Sequence, residues 1–522
     1  MLRLRTAWSD LPTLVRDATS DDAYYYLQIA RNIAAGRGAS FDGETLTNGF
    51  HPLWLIVITP LHWLADDPER VLHVALTLGA LLGTATVLLV FAIVRLLTRS
   101  RGAALIAAAF SALHPYLIVE SVNGLETALS VFSLALMTWV FLRLAWRPEP
   151  IAPRGAIGLG CAAGVMMLAR TDSVFVFGAI LLYLLVRGRA AYRLRVPLVA
   201  GVVATLVVAP WLIWNLAHFG SIVQVSSLAL AEPLREQFLA VHGDGLAALL
   251  RKSWEVTRAT FFERAVQLYF VPRGSSVLPF FGAAAALLAV LHFASPASER
   301  RRTRQRIALL MVPGAGILLA LLYHTAVRWW VREWYLAPLA LLAALFLGIA
   351  VAHLEGAVAR APIRSRRAAA VGLHLVAVLA LGAGFGFRPR ESWVPPSPHR
   401  LQQLEAAHWI EDHTPDDARV GAFNAGLLGY FGGRTVVNLD GAVNADAYRA
   451  QREGRLMDYI LSKRIDLLVD WRGTLPLAGC HRSAAAICRR VAVLGEPLPG
   501  FAGAPIQVLE ITPRHGSSLP AR

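Results

Sequence analysis

Long apolar runs separated by short polar connections dominate the first three quarters of the chain. A helix needs about 20 apolar residues to cross roughly 30 Å of hydrocarbon. Runs near that length lie at 70–97, 102–118, 124–145, 155–169, 173–187, 196–216, 276–294, 306–323, 334–353 and 368–386. Residues 155–187 also fit one long helix broken near Arg170, although two helices are preferred. The pattern predicts a mainly α fold, a polytopic transmembrane helix bundle of about 10–11 spans.

Composition and charge support this interpretation. Of the 522 residues, 56% are hydrophobic and 16% are charged, which is more apolar surface than one soluble core could bury. The net charge of +15 raises the question of a nucleic-acid partner. The arginines, however, cluster in alternate connections between the apolar runs and do not line one face. They therefore indicate membrane orientation, and no nucleic-acid partner is expected.

The positive-inside rule assigns the basic connections to the cytoplasm. The first loop (residues 17–69), the loop 217–275 and everything after about residue 387 are then expected on the opposite side. This predicts a multi-pass protein of a bacterial inner (plasma) membrane whose polar chemistry faces the periplasm or the cell exterior. No signal peptide or span precedes residue 17, and we expect a further helix upstream of the given start.

Residues 388–522 lack long apolar runs and are expected to form a separate α/β domain. The predicted elements are an amphipathic helix and four strands, at Leu401–His413, Val420–Phe423, Thr435–Leu439, Ile465–Trp471 and Ile506–Ile511. Cys480 and Cys488 also lie here, where an oxidising compartment would allow a disulfide. The predicted parts are therefore residues 1–69, the bundle 70–387 and the domain 388–522.

An acidic pair begins a short predicted helix in the first loop. Thr19 is the expected N-cap, Asp21 and Asp22 fill the first turn, and Gly36 ends the helix. One interpretation is that the aspartates only complement the helix dipole. The other is that carboxylates beside three tyrosines at a membrane interface acquire a raised pKa and accept a proton.

Several motifs resemble known sequences. These motifs are Asp-Asp-Ala-Tyr-Tyr-Tyr at 21–26, Ser-Phe-Asp-Gly at 40–43, Thr-Asn-Gly-Phe-His-Pro-Leu-Trp at 47–54, Asn-Gly-Leu-Glu-Thr-Ala-Leu at 123–129, Ala-Arg-Thr-Asp-Ser at 169–173, Pro-Trp-Leu-Ile-Trp-Asn at 210–215 and Trp-Tyr-Leu-Ala-Pro at 334–338. Together they resemble the glycosyltransferase C superfamily, nearest to the protein O-mannosyltransferases and the lipid A aminoarabinose transferases. Those integral membrane enzymes take sugars from polyprenyl-phosphate carriers.

The resemblance implies roles for particular residues. An early acidic residue of the first loop acts as the base in that family, which points to Asp21 and, second, to Asp22. A His-Pro or Lys-Pro motif late in the loop lies near the carrier phosphate, which points to His51. The competing interpretation of His51 is an ordinary residue at a helix start before proline.

Cationic and acidic residues at helix ends complete the candidate set. Arg170, Arg328 and Arg332 are candidate phosphate ligands, with Tyr335 beside the last two. Arg170 equally fits a local pair with Asp172, and an interfacial aromatic belt with snorkelling arginines competes for the others. Glu126 is either a supporting or metal-contacting acid or a partner of the helix dipole.

The resulting hypothesis is an inverting membrane glycosyltransferase on the external face. It would transfer a sugar from a polyprenyl-phosphate carrier to the hydroxyl of a glycan, lipid or protein acceptor, with membrane lipids as further partners. No cofactor is assigned, and a divalent cation requirement is left open. A transporter or flippase of a lipid-linked sugar is the alternative, and a binding scaffold without catalysis is the third interpretation.

Overall fold

The computed structural model describes residues 1–146, 151–187, 193–243, 245–269, 297–360, 371–379, 381, 395–479, 486–498 and 505–513. Within them the chain is mainly helical, and one mixed sheet lies near the C-terminus. The predicted fold, a helix bundle followed by an α/β domain, is confirmed.

Among the described residues, five helices are long and apolar enough to cross a membrane: Pro68–Thr98, Thr127–Ala145, Arg195–Phe219, Arg300–Val327 and Glu333–Val358. Shorter apolar helices accompany them at Pro52–Trp63, Arg101–Leu113 and Pro153–Ala169. Val174–Arg187 is a separate helix, so the preference for two helices within 155–187 is confirmed. The predicted span 276–294 lies outside the described residues, as do all but 371–379 and 381 of the span 368–386.

Small residues set the spacing of these helices. Gly160 packs against Ala200 and Val203 so closely that an added Cβ would lie 2.6 Å from the Ala200 carbonyl oxygen, and Gly164 faces Val207 in the same way. Glycine at a helix crossing lets two backbones approach, and the resulting van der Waals contacts contribute to helix association where lipid replaces water.

The first loop is built from short helices at Asp21–Ala34 and Pro52–Ile58, followed by a 3-10 turn at Thr59–Trp63. Before it lie Leu2–Ala7 and Leu11–Asp17. The expected N-cap role of Thr19 is wrong, because Ser20 occupies that position. The Thr19 hydroxyl instead donates to the Leu14 carbonyl at 3.1 Å and lies 2.8 Å from the Tyr24 hydroxyl.

The loop after Phe219 is also helical. Its helices are Val225–His242, Leu246–Arg258 and Ala265–Tyr269, with a π-helical turn at Ala259–Arg264. The next helix runs from Ala297 to Leu322 and continues into a π turn at Tyr323–Val327. A 3-10 turn at Glu333–Leu336 then leads into Ala337–Val358.

The C-terminal domain contains a five-stranded sheet in the order β2-β1-β3-β5-β4. Its strands are β1 Arg419–Ala422, β2 Thr435–Asn438, β3 Leu467–Trp471, β4 Ala486–Leu494 and β5 Ile506–Pro513. The first three are parallel, and β5 pairs antiparallel with both β3 and β4. Helices flank the sheet at His399–His413, Gly426–Phe431, Ala445–Arg452 and Leu456–Ser462.

Four of these strands match the predicted ones to within two residues at every end, whereas β4 was not predicted. Cys488 lies on β4 and is disulfide-bonded; Cys480 lies outside the described residues.

One hydrophobic core joins the first loop, the membrane helices and the C-terminal domain. Tyr24, Trp54 and Leu72 share it with Leu428 and Val469, all of them at most 1% exposed. A second core lies among the membrane helices. The first loop is therefore packed between the bundle and the domain, and its polar residues are held from two directions.

Candidate active site

The first turn of the helix Asp21–Ala34 packs closely against two glycines from other parts of the chain. Gly124, which has a φ of +81°, lies so close to Ala23 that an added Cβ would be 2.6 Å from the alanine Cβ. On the opposite side the helix start contacts Gly426 of the C-terminal domain, again with no room for a side chain. Glycines at these positions permit a backbone approach that fixes the first turn, with its two aspartates, in one place.

Asp21 is bound by backbone. Its Oδ2 accepts the Gly426 N–H at 3.1 Å and its Oδ1 accepts the Leu427 N–H at 2.8 Å. Burial raises the pKa of Asp21 to about 7, and the two N–H bonds oppose that shift. Both oxygens of the carboxylate are thus committed to the start of the helix Gly426–Phe431.

Asp22 differs in its contacts. Among the described residues its carboxylate has no hydrogen bond or ion pair, although the residue is partly buried. Burial raises its pKa, while the charges of Arg332 and Arg400 oppose the shift and Glu126 adds to it. Asp22 is consequently a carboxylate with a raised pKa and accepting capacity to spare.

A network of side chains surrounds Glu126. Its Oε2 accepts from the Tyr26 hydroxyl at 2.9 Å, and its Oε1 lies 2.8 Å from Arg170 Nη1. Arg170 also holds Asp172, with Nε–Oδ1 at 3.2 Å and Nη2–Oδ2 at 2.9 Å. Glu126 is 3% exposed and Arg170 is 6% exposed. These buried charges are mutually satisfied, as buried ions must be.

His51 approaches the network from the first loop. Its Nε2 lies 3.7 Å from Glu126 Oε1, its backbone N–H donates to the Tyr26 hydroxyl at 3.0 Å, and its Nδ1 lies 3.4 Å from Gln224 Nε2. Burial lowers the pKa of His51, with Arg170 adding to the effect and Glu126 opposing it. His51 is also the N-cap residue of the helix Pro52–Ile58, as the helix-start interpretation expects, and its place near a carrier phosphate stays a prediction.

His324 and Tyr335 close the network on the side of the last spans. His324 Nε2 lies 3.0 Å from Asp172 Oδ2, and its ring stacks on Tyr335 with centroids 4.5 Å apart. The Arg170 guanidinium lies 4.5 Å above the same tyrosine ring. Burial raises the pKa of Asp172, but Arg170 and His324 lower it well below its ordinary value, so this carboxyl stays ionised.

The connection between His324 and Tyr335 carries two of the predicted arginines. Arg328 Nη2 is buried and has no hydrogen-bond partner among the described residues. Arg332 lies with its guanidinium 4.5 Å from the centre of the Trp330 ring. Between them Trp329 has a φ of +54°, an uncommon conformation for a bulky residue that indicates local strain. Its Nε1 donates to the Ser253 hydroxyl at 3.0 Å.

Three further residues near this centre do not belong to the predicted site residues. Glu120 is 7% exposed, accepts from the Asn123 amide at 2.7 Å, and has a pKa raised by burial to about 8. Arg400 interacts with both aspartates of the pair. Asp440, in the turn after β2, has a pKa raised by burial to about 7, and the charges of Asp22 and Asp21 contribute. Arg400 and Asp440 come from the C-terminal domain, and no local pattern links them to the first loop.

No group of three or more His, Cys, Asp or Glu side chains in the described ranges has the arrangement of a metal site.

The predicted site residues fall into three sets according to their contacts. Asp21 and Asp22 lie at the junction with the domain. Glu126, Arg170, His51 and Tyr335 belong to the buried network. Arg328 and Arg332 lie on the connection beside it.

Comparison with known proteins adds three observations. Residues 55–214 match the family model described as dolichyl-phosphate-mannose-protein mannosyltransferase. Residues 397–503 match a domain of unknown function, DUF8728. No curated protein matches the chain.

Solved structures share the fold. ArnT from Cupriavidus metallidurans bound to undecaprenyl phosphate has 14% sequence identity and a TM-score of 0.56, over 97% of this chain and 96% of that chain. The same protein in the apo state has 14% identity and a TM-score of 0.55, over 95% and 94%.

Proposed function

We propose that this chain, a multi-pass membrane glycosyltransferase whose residues 55–214 match the dolichyl-phosphate-mannose-protein mannosyltransferase family, transfers a sugar from a polyprenyl-phosphate carrier to an acceptor hydroxyl with inversion. The resemblance to the glycosyltransferase C superfamily, noted from the sequence, is confirmed. One observation carries the proposal most directly. A carboxylate without a hydrogen-bond partner in the described chain, Asp22, interacts with the positive charges of Arg332 and Arg400.

Asp22 is assigned the role of base. It would take the proton of the acceptor hydroxyl as the oxygen attacks the anomeric carbon. The bond from that carbon to the phosphate oxygen breaks, and polyprenyl phosphate leaves with the electron pair. A single displacement of this kind inverts the anomeric configuration. Asp21 suits the role less well, because both of its oxygens already accept backbone N–H groups.

The leaving phosphate requires cationic or hydrogen-bonding groups. Arg328 has an unbonded, buried Nη2, and Arg332 has no carboxylate within ion-pair distance in the described chain; these two are therefore assigned to the phosphate. His51 is neutral near pH 7 because burial lowers its pKa, so it would contribute a hydrogen bond and not a charge.

Arg170 is assigned a different role from the one expected. Its guanidinium already bonds Glu126 and Asp172, which leaves little capacity for a phosphate. We assign it to holding Glu126 and, through the Glu126–Tyr26 bond, the first loop. The ArnT of Cupriavidus metallidurans was crystallised with undecaprenyl phosphate, and its fold supports a polyprenyl phosphate as the carrier here.

The basic connections between spans favour an external location of this site. A transporter of a lipid-linked sugar would break no bond at the anomeric carbon and would release its lipid with the sugar attached. The two functions therefore differ in one product, free polyprenyl phosphate.

The test measures that product. Purified full-length protein in lipid nanodiscs is incubated with a panel of polyprenyl-phosphate sugars and with extracted cell-envelope material as the source of acceptor. The wild type is expected to release polyprenyl phosphate. Asp22→Asn is expected to reduce release by at least about 100-fold while retaining binding of polyprenyl phosphate.

Asp66→Asn is the matched control, since Asp66 is an exposed acid of the same loop. Release by Asp22→Asn equal to that of this control would remove the catalytic assignment. If neither the wild type nor any variant releases polyprenyl phosphate with any donor of the panel, the proposal of glycosyl transfer itself is refuted.

A further inference from the structure

The C-terminal domain matches a family without an assigned function, and its contacts with the first loop suggest one. We infer that the domain holds the catalytic base in place, with Asp470 as a positioning residue that acts through residues 423–427 and Asp21 on Asp22. The inference rests on the proposed function, because it takes Asp22 as the base.

Asp470 lies at the end of β3 and is 2% exposed. Its Oδ2 accepts the backbone N–H groups of Phe423 at 2.6 Å and Asn424 at 2.9 Å. Its Oδ1 accepts from the Asn424 side-chain amide at 2.9 Å, the Trp471 N–H at 2.7 Å and the Thr474 hydroxyl at 2.7 Å. One buried carboxylate thus fixes the backbone that leaves β1, and five donors saturate it.

The next residues of the same segment bind the first loop. The Ala425 N–H donates to the Tyr25 hydroxyl at 3.2 Å, and the following two N–H groups hold Asp21. The Tyr25 hydroxyl donates to the Phe423 carbonyl at 3.3 Å and accepts from the Asn438 amide at 3.2 Å. Five hydrogen bonds therefore connect the segments that follow β1 and β2 to two consecutive turns of the helix Asp21–Ala34.

The two parts also touch through backbone alone. Gly426 lies against the Asp21 carbonyl and Gly49 lies against the Ala442 carbonyl, each too closely for a side chain. The carboxyl edge of parallel strands is the usual ligand site of open α/β sheets; here it receives the first loop. Because Asp22 follows Asp21 directly, a shift of residues 423–427 moves the base as well.

The variant Asp470→Asn is expected to displace the segment 423–427 and to slow catalysis. Both oxygens of Asp470 accept hydrogen bonds, and asparagine replaces one of these oxygens with an NH₂ group that cannot accept. At least one of the present donors would then face another donor, so the segment 423–427 must shift. A displacement near 1 Å can cost about 100-fold in rate. We expect kcat for release of polyprenyl phosphate to fall by about that factor, with KM for the donor changed little, because Arg328 and Arg332 lie outside the domain.

Asp466→Asn is the matched control. Asp466 lies at the opposite end of the same strands, where its Oδ2 accepts the Arg419 N–H at 2.9 Å, and its variant is expected to retain the wild-type kcat within about twofold. Amide hydrogen exchange of the full-length protein in nanodiscs provides a readout that is independent of activity. Asp470→Asn is expected to lose protection in residues 21–34 as well as in 423–431.

Tyr25→Phe serves as the second variant if Asp470→Asn does not fold. It removes the phenolic hydrogen bonds from the loop side and leaves Asp470 intact; the same selective fall in kcat is expected. Unchanged kcat in either folded variant would overturn the inference. So would lowered kcat in Asp470→Asn with full protection of 21–34. Failure of the proposed function gives a different result: the wild type releases no polyprenyl phosphate, while its residues 21–34 remain protected from amide hydrogen exchange.

Discussion

At the scale of single residues, neighbouring aspartates have different environments. Asp21 is bonded through both oxygens to backbone more than 400 residues away in sequence, whereas Asp22 accepts no hydrogen bond in the described chain. The sequence predicted a proton-accepting acid in this pair. It ranked Asp21 first, and the geometry favours Asp22, because the donors that occupy Asp21 belong to a domain whose docking no local pattern reveals.

The pH dependence of transfer follows from the raised pKa of Asp22. A base works only when ionised, and burial moves the ionisation of this carboxyl above the ordinary Asp value of about 4. We expect kcat/KM to fall on acidification with a midpoint above that value. A profile of kcat/KM between about pH 4 and about pH 9 checks this expectation. A midpoint at or below the ordinary value would contradict it.

Arg328 provides a second residue-scale prediction. Its unbonded Nη2 is assigned to the donor phosphate, and a hydrogen bond to a charged group contributes about 1.5–3 kcal/mol. Arg328→Gln should therefore raise the Kd for polyprenyl phosphate by about 10-fold or more. The control is Arg235→Gln, an exposed arginine 5.8 Å from the Trp329 ring. Equal Kd values in the two variants would refute the assignment.

At the scale of elements, hydrophobic periodicity located most helices and strands. It divided 155–187 correctly at Arg170 and found β1, β2, β3 and β5. Strand β4 escaped because Ala486–Leu494 includes two consecutive arginines, Arg489 and Arg490, and alternates poorly. The N-cap of the helix Asp21–Ala34 was misplaced because Thr19 uses its hydroxyl to bond Tyr24 and the preceding helix, an arrangement set by packing.

Close packing at the helix start yields an element-scale prediction. Gly426→Ala places a Cβ against the backbone carbonyl oxygen of Asp21 and only 2.8 Å from Oδ1 of the same residue. We expect the helix Asp21–Ala34 to be displaced, at a cost of about 1–3 kcal/mol in unfolding free energy, and the rate of sugar transfer to fall. Thermal unfolding and the release assay measure the two effects.

Gly178→Ala is the control for this substitution. Gly178 lies within the helix Val174–Arg187 and has open space around the Cβ position. Alanine there should be neutral or stabilising by up to about 1 kcal/mol. Wild-type stability and transfer in Gly426→Ala would show that the helix start tolerates displacement.

At the scale of the whole molecule, three parts separated in sequence meet at one place. The first loop supplies Asp22 and His51, the membrane helices supply Glu126 and Arg170, and the domain supplies Arg400. Composition and motifs predicted the bundle, the domain and most candidate residues. They did not predict that these three parts contact one another, because hydrogen bonds such as Tyr25–Phe423 join residues almost 400 positions apart.

The junction of loop and domain makes stability depend on pH. The pKa values of Asp21 and Asp440 are each raised to about 7 by burial. A carboxyl with a raised folded pKa stabilises the fold fully below its unfolded pKa of about 4, and that contribution is lost as pH rises through the folded value. We expect the unfolding temperature to fall between about pH 5 and about pH 8.

Asp440→Asn tests the origin of this slope. Asparagine retains an acceptor for the Ala442 N–H, which Asp440 Oδ1 binds at 2.7 Å, but it cannot ionise. The variant should show a shallower decline in unfolding temperature over the same range, and Asp66→Asn should show the wild-type slope. An identical slope in Asp440→Asn would assign the pH dependence to other groups.

A structure of the full-length protein with bound polyprenyl phosphate tests the assigned phosphate site most directly. We expect phosphate oxygens at about 3 Å from the guanidinium of Arg328 or Arg332, beside His51 and on the same side as Asp22. A phosphate bound instead at Arg300 or Arg304, at the far end of the helix Ala297–Leu322, would contradict it.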